Sequence, residues 1–155
     1  IVRQRGTKIH PGDNVGMNMK GLDKQNMPKV GDVITLQKDP LCLPVESFVA
    51  QVAVQEHPGQ LKTGFSPCIH VRTAKSACKM TKINWKISKK TGDQKLDNPE
   101  FLERGEQAEI EFAPQQPIYV EQFDKCEGLG RIAVMDSNQL VMLGKVISVK
   151  YKPYK

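Results

Sequence analysis

No apolar run in this 155-residue chain approaches the roughly 20 residues that a membrane-spanning helix needs, so no helical span is expected. Histidine is scarce (His10, His57, His70), and these three do not cluster with the four cysteines, Cys42, Cys68, Cys78 and Cys126. No Cys-x-x-Cys pair occurs, so neither a zinc site nor a disulfide framework is expected; reduced, partly buried thiols are the better reading. The Gly-x-x-x-x-Gly-Lys-Ser/Thr phosphate loop is absent, and with it the backbone N–H cradle that nucleotide phosphates require. The Asn-Lys-x-Asp guanine-reading motif is missing too, and no Ser, His and Asp are placed as a triad. No catalytic residue, metal or cofactor is therefore assigned to these residues. Ile1-Val2-Arg3-Gln4-Arg5 lacks both an initiator Met and a signal-peptide core, which reads as a cytoplasmic piece of a longer protein.

What is present is ordinary for a folded protein: 39% apolar and 26% charged residues. The net charge of +6 favours anionic partners, RNA or acidic proteins, while saying nothing of fold. The apolar pattern has a period of two. Phe48, Ala50, Val52 and Val54 share one face, as do Ile83, Trp85 and Ile87, and Ala108, Ile110 and Phe112. Further strands are expected over 69–73, 118–123, 131–135 and 140–151, the last with a bend or bulge at Gly144. Turn signals such as Pro11-Gly12-Asp13-Asn14, His57-Pro58-Gly59 and Thr91-Gly92-Asp93 separate the runs. A turn or two of helix is expected near 98–102. Many short strands at this spacing predict an all-β chain closed into an antiparallel Greek-key barrel over 45–152, which leaves no open sheet edge.

A boundary falls where Pro40 and Pro44 flank Leu41-Cys42-Leu43. The two strand candidates before it, 14–20 and 32–37, cannot make a core alone. Residues 1–44 thus read as the remnant of a second β-barrel plus a linker, and 153–155 as a tail.

At this point the chain resembles a known family. Pro11-Gly12-Asp13-Asn14-Val15-Gly16 looks like the end of the second domain of elongation factor 1-alpha. Residues 48–60, reading FVAQVAVQEHPGQ, look like the first strand of its third domain. Thr91-Gly92, then Lys95-Leu96-Asp97-Asn98-Pro99-Glu100-Phe101-Leu102 and Gly105, resemble its long hairpin. Leu129-Gly130-Arg131, Ala133-Val134 and Asp136 match its penultimate strand. Gly21-Leu22-Asp23-Lys24 and Asn26-Met27-Pro28 look more like the divergent elongation-factor-like paralogue. Termination and ribosome-rescue relatives share the architecture, but the His57-Pro58-Gly59-Gln60 turn favours the elongation branch. The resemblance implies a parent GTPase that delivers aminoacyl-tRNA to the ribosomal A site. GTP and Mg2+ would be held in another domain, and a nucleotide exchange factor would be a further partner. It also implies that this barrel contacts the T-stem and packs on its own GTPase domain; in the rival reading that docking is its main role.

A duplex stem offers phosphates and 2′-hydroxyls in a shallow groove, so it is met by donors on a shaped surface. Alignment with the family's stem-contacting segments proposes His70, Arg72, Thr73 and Lys79, then Gln116, then Arg131, Ser137 and Gln139. Alternation with Ile69 and Val71 turns His70 and Arg72 outward. The family usually carries Arg at the positions of Met135 and Asn138, so this chain has fewer phosphate partners there. A secondary basic face is expected from Lys82, Lys86, Lys89 and Lys90, with Lys82 and Lys86 on the outer side opposite Trp85.

Overall fold

The alternating run that begins at Val45 forms the central strand β1 (Val45–Val54), which buries Val45, Phe48, Ala50, Val52 and Val54. The computed structural model describes residues 8–39, 43–57 and 59–153. After β1 come β2 (Leu61–Lys62), β3 (Cys68–Val71), β4 (Ala74–Ile87), β5 (Lys95–Asp97), β6 (Phe101–Leu102) and β7 (Gln107–Pro114). A four-residue helix α1 (Glu127–Gly130), β8 (Arg131–Asp136) and β9 (Gln139–Tyr151) complete the chain. The hydrogen-bonded order β3-β8-β9-β1-β7-β4 closes on itself through a β3–β4 pairing, a six-stranded antiparallel barrel with β5 added beside β4. Neighbours run β1-β7-β4-β3, the spatial order of a Greek key. The expected all-β barrel is what forms.

The core is mainly apolar. Phe48 and Phe112 stack inside at 5.6 Å between centroids, and each such ring contributes about 1.5–3 kcal/mol by leaving water. Leu61 faces Leu102 in the short β2–β6 pair and both are fully buried. Lys152 N donates to Pro44 O at 2.9 Å, tying the end of the barrel to its start.

Several expectations are corrected. Residues 14–20 and 32–37 carry no strand among the described residues, and Val15, Met17, Met19, Ile34 and Leu36 are exposed. Their alternation has no partner strand to satisfy its backbone. Residues 98–102 are not helical: Asn98 takes φ +49 in a turn and Phe101–Leu102 pairs as β6. Among the described residues the helical turns lie instead at Lys24–Asn26, Lys89–Thr91 and Glu127–Gly130. Residues 118–123 form no strand, although Ile118 and Val120 are buried. The irregularities of β9 fall opposite Val49/Ala50 and Val134/Met135, not at Gly144. Gly144 is required for close approach: a Cβ there would lie 2.6 Å from Gln51 O and 2.7 Å from Val52 Cγ1.

The main correction concerns Lys86. Strand β4 shifts register twice, between Met80/Lys82 and between Ile83/Trp85. Each shift adds a residue and reverses which parity faces inward. Met80, Ile83 and Lys86 therefore point inside in succession, and Trp85 is left half-buried on the outside with Lys95 Nζ 5.1 Å over its ring. Lys86 is 8% exposed and Glu106 is 5% exposed. Lys86 Nζ donates to Glu106 Oε2 at 3.1 Å and to Phe101 O at 3.0 Å.

Candidate nucleic-acid interface

Val71 pairs with Ala74, so Arg72 and Thr73 form the two-residue tip of the β3–β4 hairpin. Arg72 takes φ +55, an uncommon conformation for a side chain of this size. The same register sets His70 opposite Lys75, while β8 on the other side sets Ala133 opposite His70. His70 is half-buried between them, and Arg72, Thr73 and Lys75 are exposed. Further along β4, Lys79 lies opposite Ala113 and Lys82 opposite Glu111, both exposed. Among the described residues, Arg72, Lys75, Lys79 and Lys82 have no ion-pair partner.

The remaining candidates join this wall from its margins. Gln116 follows β7 along the flank of β4: its carbonyl accepts from Ser76 Oγ at 3.1 Å, and its side chain is exposed. Ser137 and Asn138 form the β8–β9 turn with φ +47 and +66, and Ser137 Oγ donates to Asp136 Oδ1 at 3.3 Å. Gln139 is exposed beside them. Cys68 registers with Ala77 on one side and Met135 on the other, so Lys79 and this turn gather at one end of β3. Arg72 lies at the opposite end, roughly 13 Å away at about 3.3 Å per residue. There Arg131 joins it: both line a cleft of about 430 Å3 with Glu127 and Gly128. Arg131 is ion-paired to Glu127 and lies 5.5 Å from the Phe123 ring.

The secondary basic face does not form as one surface. Lys82 is outside, Lys86 is inside, and Lys90 is held to Glu103 at 3.0 Å, leaving Lys89 exposed on the turn beyond β4. The Lys90 hydrogen bond and charge hold the Glu103 carboxyl below its ordinary pKa of 4.5. Cys78 points into the barrel behind the wall, where burial pushes its thiol up to about 12. No group of three or more His, Cys, Asp or Glu among the described residues could hold a metal ion.

Lys75 was not singled out from sequence, although a two-residue turn at 72–73 fixes it opposite His70. Nothing in the sequence announced Glu127 and Gly128 as neighbours of Arg72. A second feature also appears only in three dimensions. An open apolar groove of about 540 Å3 crosses β1, β8 and β9, with Leu143 45% exposed and Phe123 at one margin. Arg131 and Lys145 approach that ring to 5.5 and 5.9 Å.

A family model described as GTP-eEF1A C-terminal domain-like matches residues 47–147. A ribosomal L27 protein model matches residues 1–24, too short a stretch to carry an assignment. The chain is similar to the elongation factor 1-alpha of Desulfurococcus mucosus, 38% identical over 143 residues, covering 92% of this chain and 32% of that one. It is similar to the same-named protein of Metallosphaera sedula at 39% over 143 residues, with the same coverage. Among solved structures it is similar to sup35 complexed with GDP, with TM-score 0.62 and 30% identity, covering 68% of this chain and 26% of that one. The chain spans about a third of the length of the curated relatives it matches.

Proposed function

The chain belongs to the elongation factor 1-alpha family, within its GTP-eEF1A C-terminal domain-like region, and from that premise we propose that it holds aminoacyl-tRNA for delivery to the ribosomal A site. The contact is the outer wall of β8, β3 and β4, and its mechanism is binding and positioning. The observation that carries this reading is the set of cations on that wall with no ion-pair partner among the described residues: Arg72 at the hairpin tip, then Lys75, Lys79 and Lys82 along β4. Such cations need no internal partner released before they meet phosphates, and each phosphate neutralised frees condensed counterions. Thr73, Ser137 and Gln139 add hydroxyl and amide donors suited to ribose and phosphate oxygens. GTP and Mg2+ are assigned to a domain outside these residues, since this chain carries neither the phosphate loop nor the guanine-reading motif. A cytoplasmic location and partnership with the ribosome and an exchange factor go with the same reading.

A second reading rests on the apolar groove across β1, β8 and β9. An exposed apolar surface is of little use to a ribose–phosphate chain and suits docking of the parent's own GTPase domain, which would pass nucleotide state to the barrel.

A titration of labelled aminoacyl-tRNA against the chain at increasing salt tests the first reading. Weak binding that falls steeply with salt is expected. Arg72→Ala should weaken it and flatten the log–log salt slope by about 0.9 for each phosphate that is no longer neutralised. An unchanged slope removes Arg72 from the interface. Absence of binding at high micromolar concentration leaves the docking role as the barrel's function.

A further inference from the structure

Arg72, at the β3–β4 hairpin tip, and Arg131, at the start of β8, open onto one cleft, and the third charged group there is the Glu127 carboxylate. Gly128 sits directly against the Arg72 guanidinium; a Cβ at 128 would lie 2.8 Å from its Nε. A side chain at this position would push the guanidinium out of the cleft, so the glycine lets it lie down over α1. Arg131 is held from the other side by Phe123 beneath it and by the Glu127 ion pair four residues back. Both members of that pair are well exposed, at 67% and 62% of their side chains. Arg72, by contrast, has no carboxylate partner among the described residues.

We propose that Arg72 and Arg131 form a two-guanidinium cleft for one phosphate group, and that Glu127 occupies Arg131 as a stand-in anion until the phosphate displaces it. Two planar guanidinium forks suit the tetrahedral oxygens of a phosphate, which accept several parallel N–H bonds at once. A single carboxylate ion-paired at the surface is a weak competitor, since exposed pairs are worth little and are screened by salt. It neutralises one arginine in the free protein and lowers affinity for any chance anion. A phosphate that also engages Arg72 displaces it. The inference rests on the RNA reading for the source of the phosphate, a backbone phosphodiester; the shared chemistry also admits inorganic phosphate.

The test follows the side-chain Nε–H signals of Arg72 and Arg131 in nitrogen-15 spectra of the full chain. Inorganic phosphate is titrated in one arm and a short RNA hairpin in the other. Both signals should move in both arms, and Glu127→Gln should tighten each apparent Kd by about two- to fivefold, the range an exposed ion pair allows. Arg131→Gln should erase that gain in the Glu127→Gln background. Because Glu127 and Arg131 are surface residues, thermal melts should match wild type, which separates binding effects from misfolding. Unmoved arginine signals in the phosphate arm, or an unchanged Kd in Glu127→Gln, overturn the inference. A hairpin that binds wild type and Glu127→Gln equally sinks the stand-in anion and leaves the RNA reading standing. Phosphate binding tightened by Glu127→Gln with no hairpin binding does the reverse.

Discussion

Glu106→Gln changes almost no volume, yet it should be among the most damaging substitutions in this barrel. Glu106 Oε2 accepts from Lys86 Nζ at 3.1 Å and from Glu103 N at 2.8 Å. Lys86 has further neighbours in Phe101 O at 3.0 Å and the Phe101 ring, 4.5 Å from its ammonium. The glutamine keeps an acceptor for Glu103 N–H, so the loss isolates the charge. What remains is an ammonium enclosed by protein with only a carbonyl and a ring to stabilise it. Removing one partner of a buried pair costs about 3–5 kcal/mol, against a total stability of about 5–15 kcal/mol for a domain. At a typical urea slope of about 2 kcal/mol per molar, the unfolding midpoint should fall by roughly 2 M. Lys86→Met combined with Glu106→Gln removes both charges and should return to within about 1.5 kcal/mol of wild type, because a well-packed apolar substitute serves as well as the pair. Equilibrium urea melts of the four proteins of this cycle at neutral pH give the coupling directly. A single Glu106→Gln costing under about 1 kcal/mol, or a double variant as damaged as the single, would refute the account of Lys86 as an inward, paired cation.

Gly144→Ala should cost about 1–3 kcal/mol in the same melts, because its Cβ would meet the backbone of β1 at Gln51 O and the strands cannot part without loosening their ladder. A change below about 0.5 kcal/mol would mean β1 and β9 are free to separate there. Tyr151 is pushed up to about 12, first by burial and then by Glu121, and its hydroxyl donates to Val120 O at 3.3 Å. Folding favours the neutral phenol, so this contribution is whole below pH 10 and is lost as pH rises towards about 12. Tyr151→Phe should therefore flatten the alkaline loss of stability over that window, read from melts between pH 9 and 12; an identical alkaline limb would contradict it.

The period of two in Phe48–Val54 and Ala108–Phe112 was enough to give the strands, their inward faces and the barrel, because alternation along a strand is local geometry. The hairpin tip at Arg72 was not legible in the same way: the strand expected over 69–73 stops at Val71, and Arg72 and Thr73 turn the chain into β4. Where a run kept the pattern but lacked a neighbour, the reading failed: 14–20 and 32–37 alternate, and the described structure gives them no ladder. In β4 the local signal misled in another way. Two register shifts, set by how β4 must follow β7 around the barrel, reversed its parity and turned Lys86 inward. No residue within β4 announces either shift. The meeting of Arg72 with Arg131 and Glu127 also depends on barrel closure, which brings β8 beside β3 across some 60 residues of chain. Sequence alone determined that the chain is all-β and which face of β1 and β7 is apolar. Tertiary structure decided which charges share a cleft and which one is buried, because those depend on pairing between distant segments.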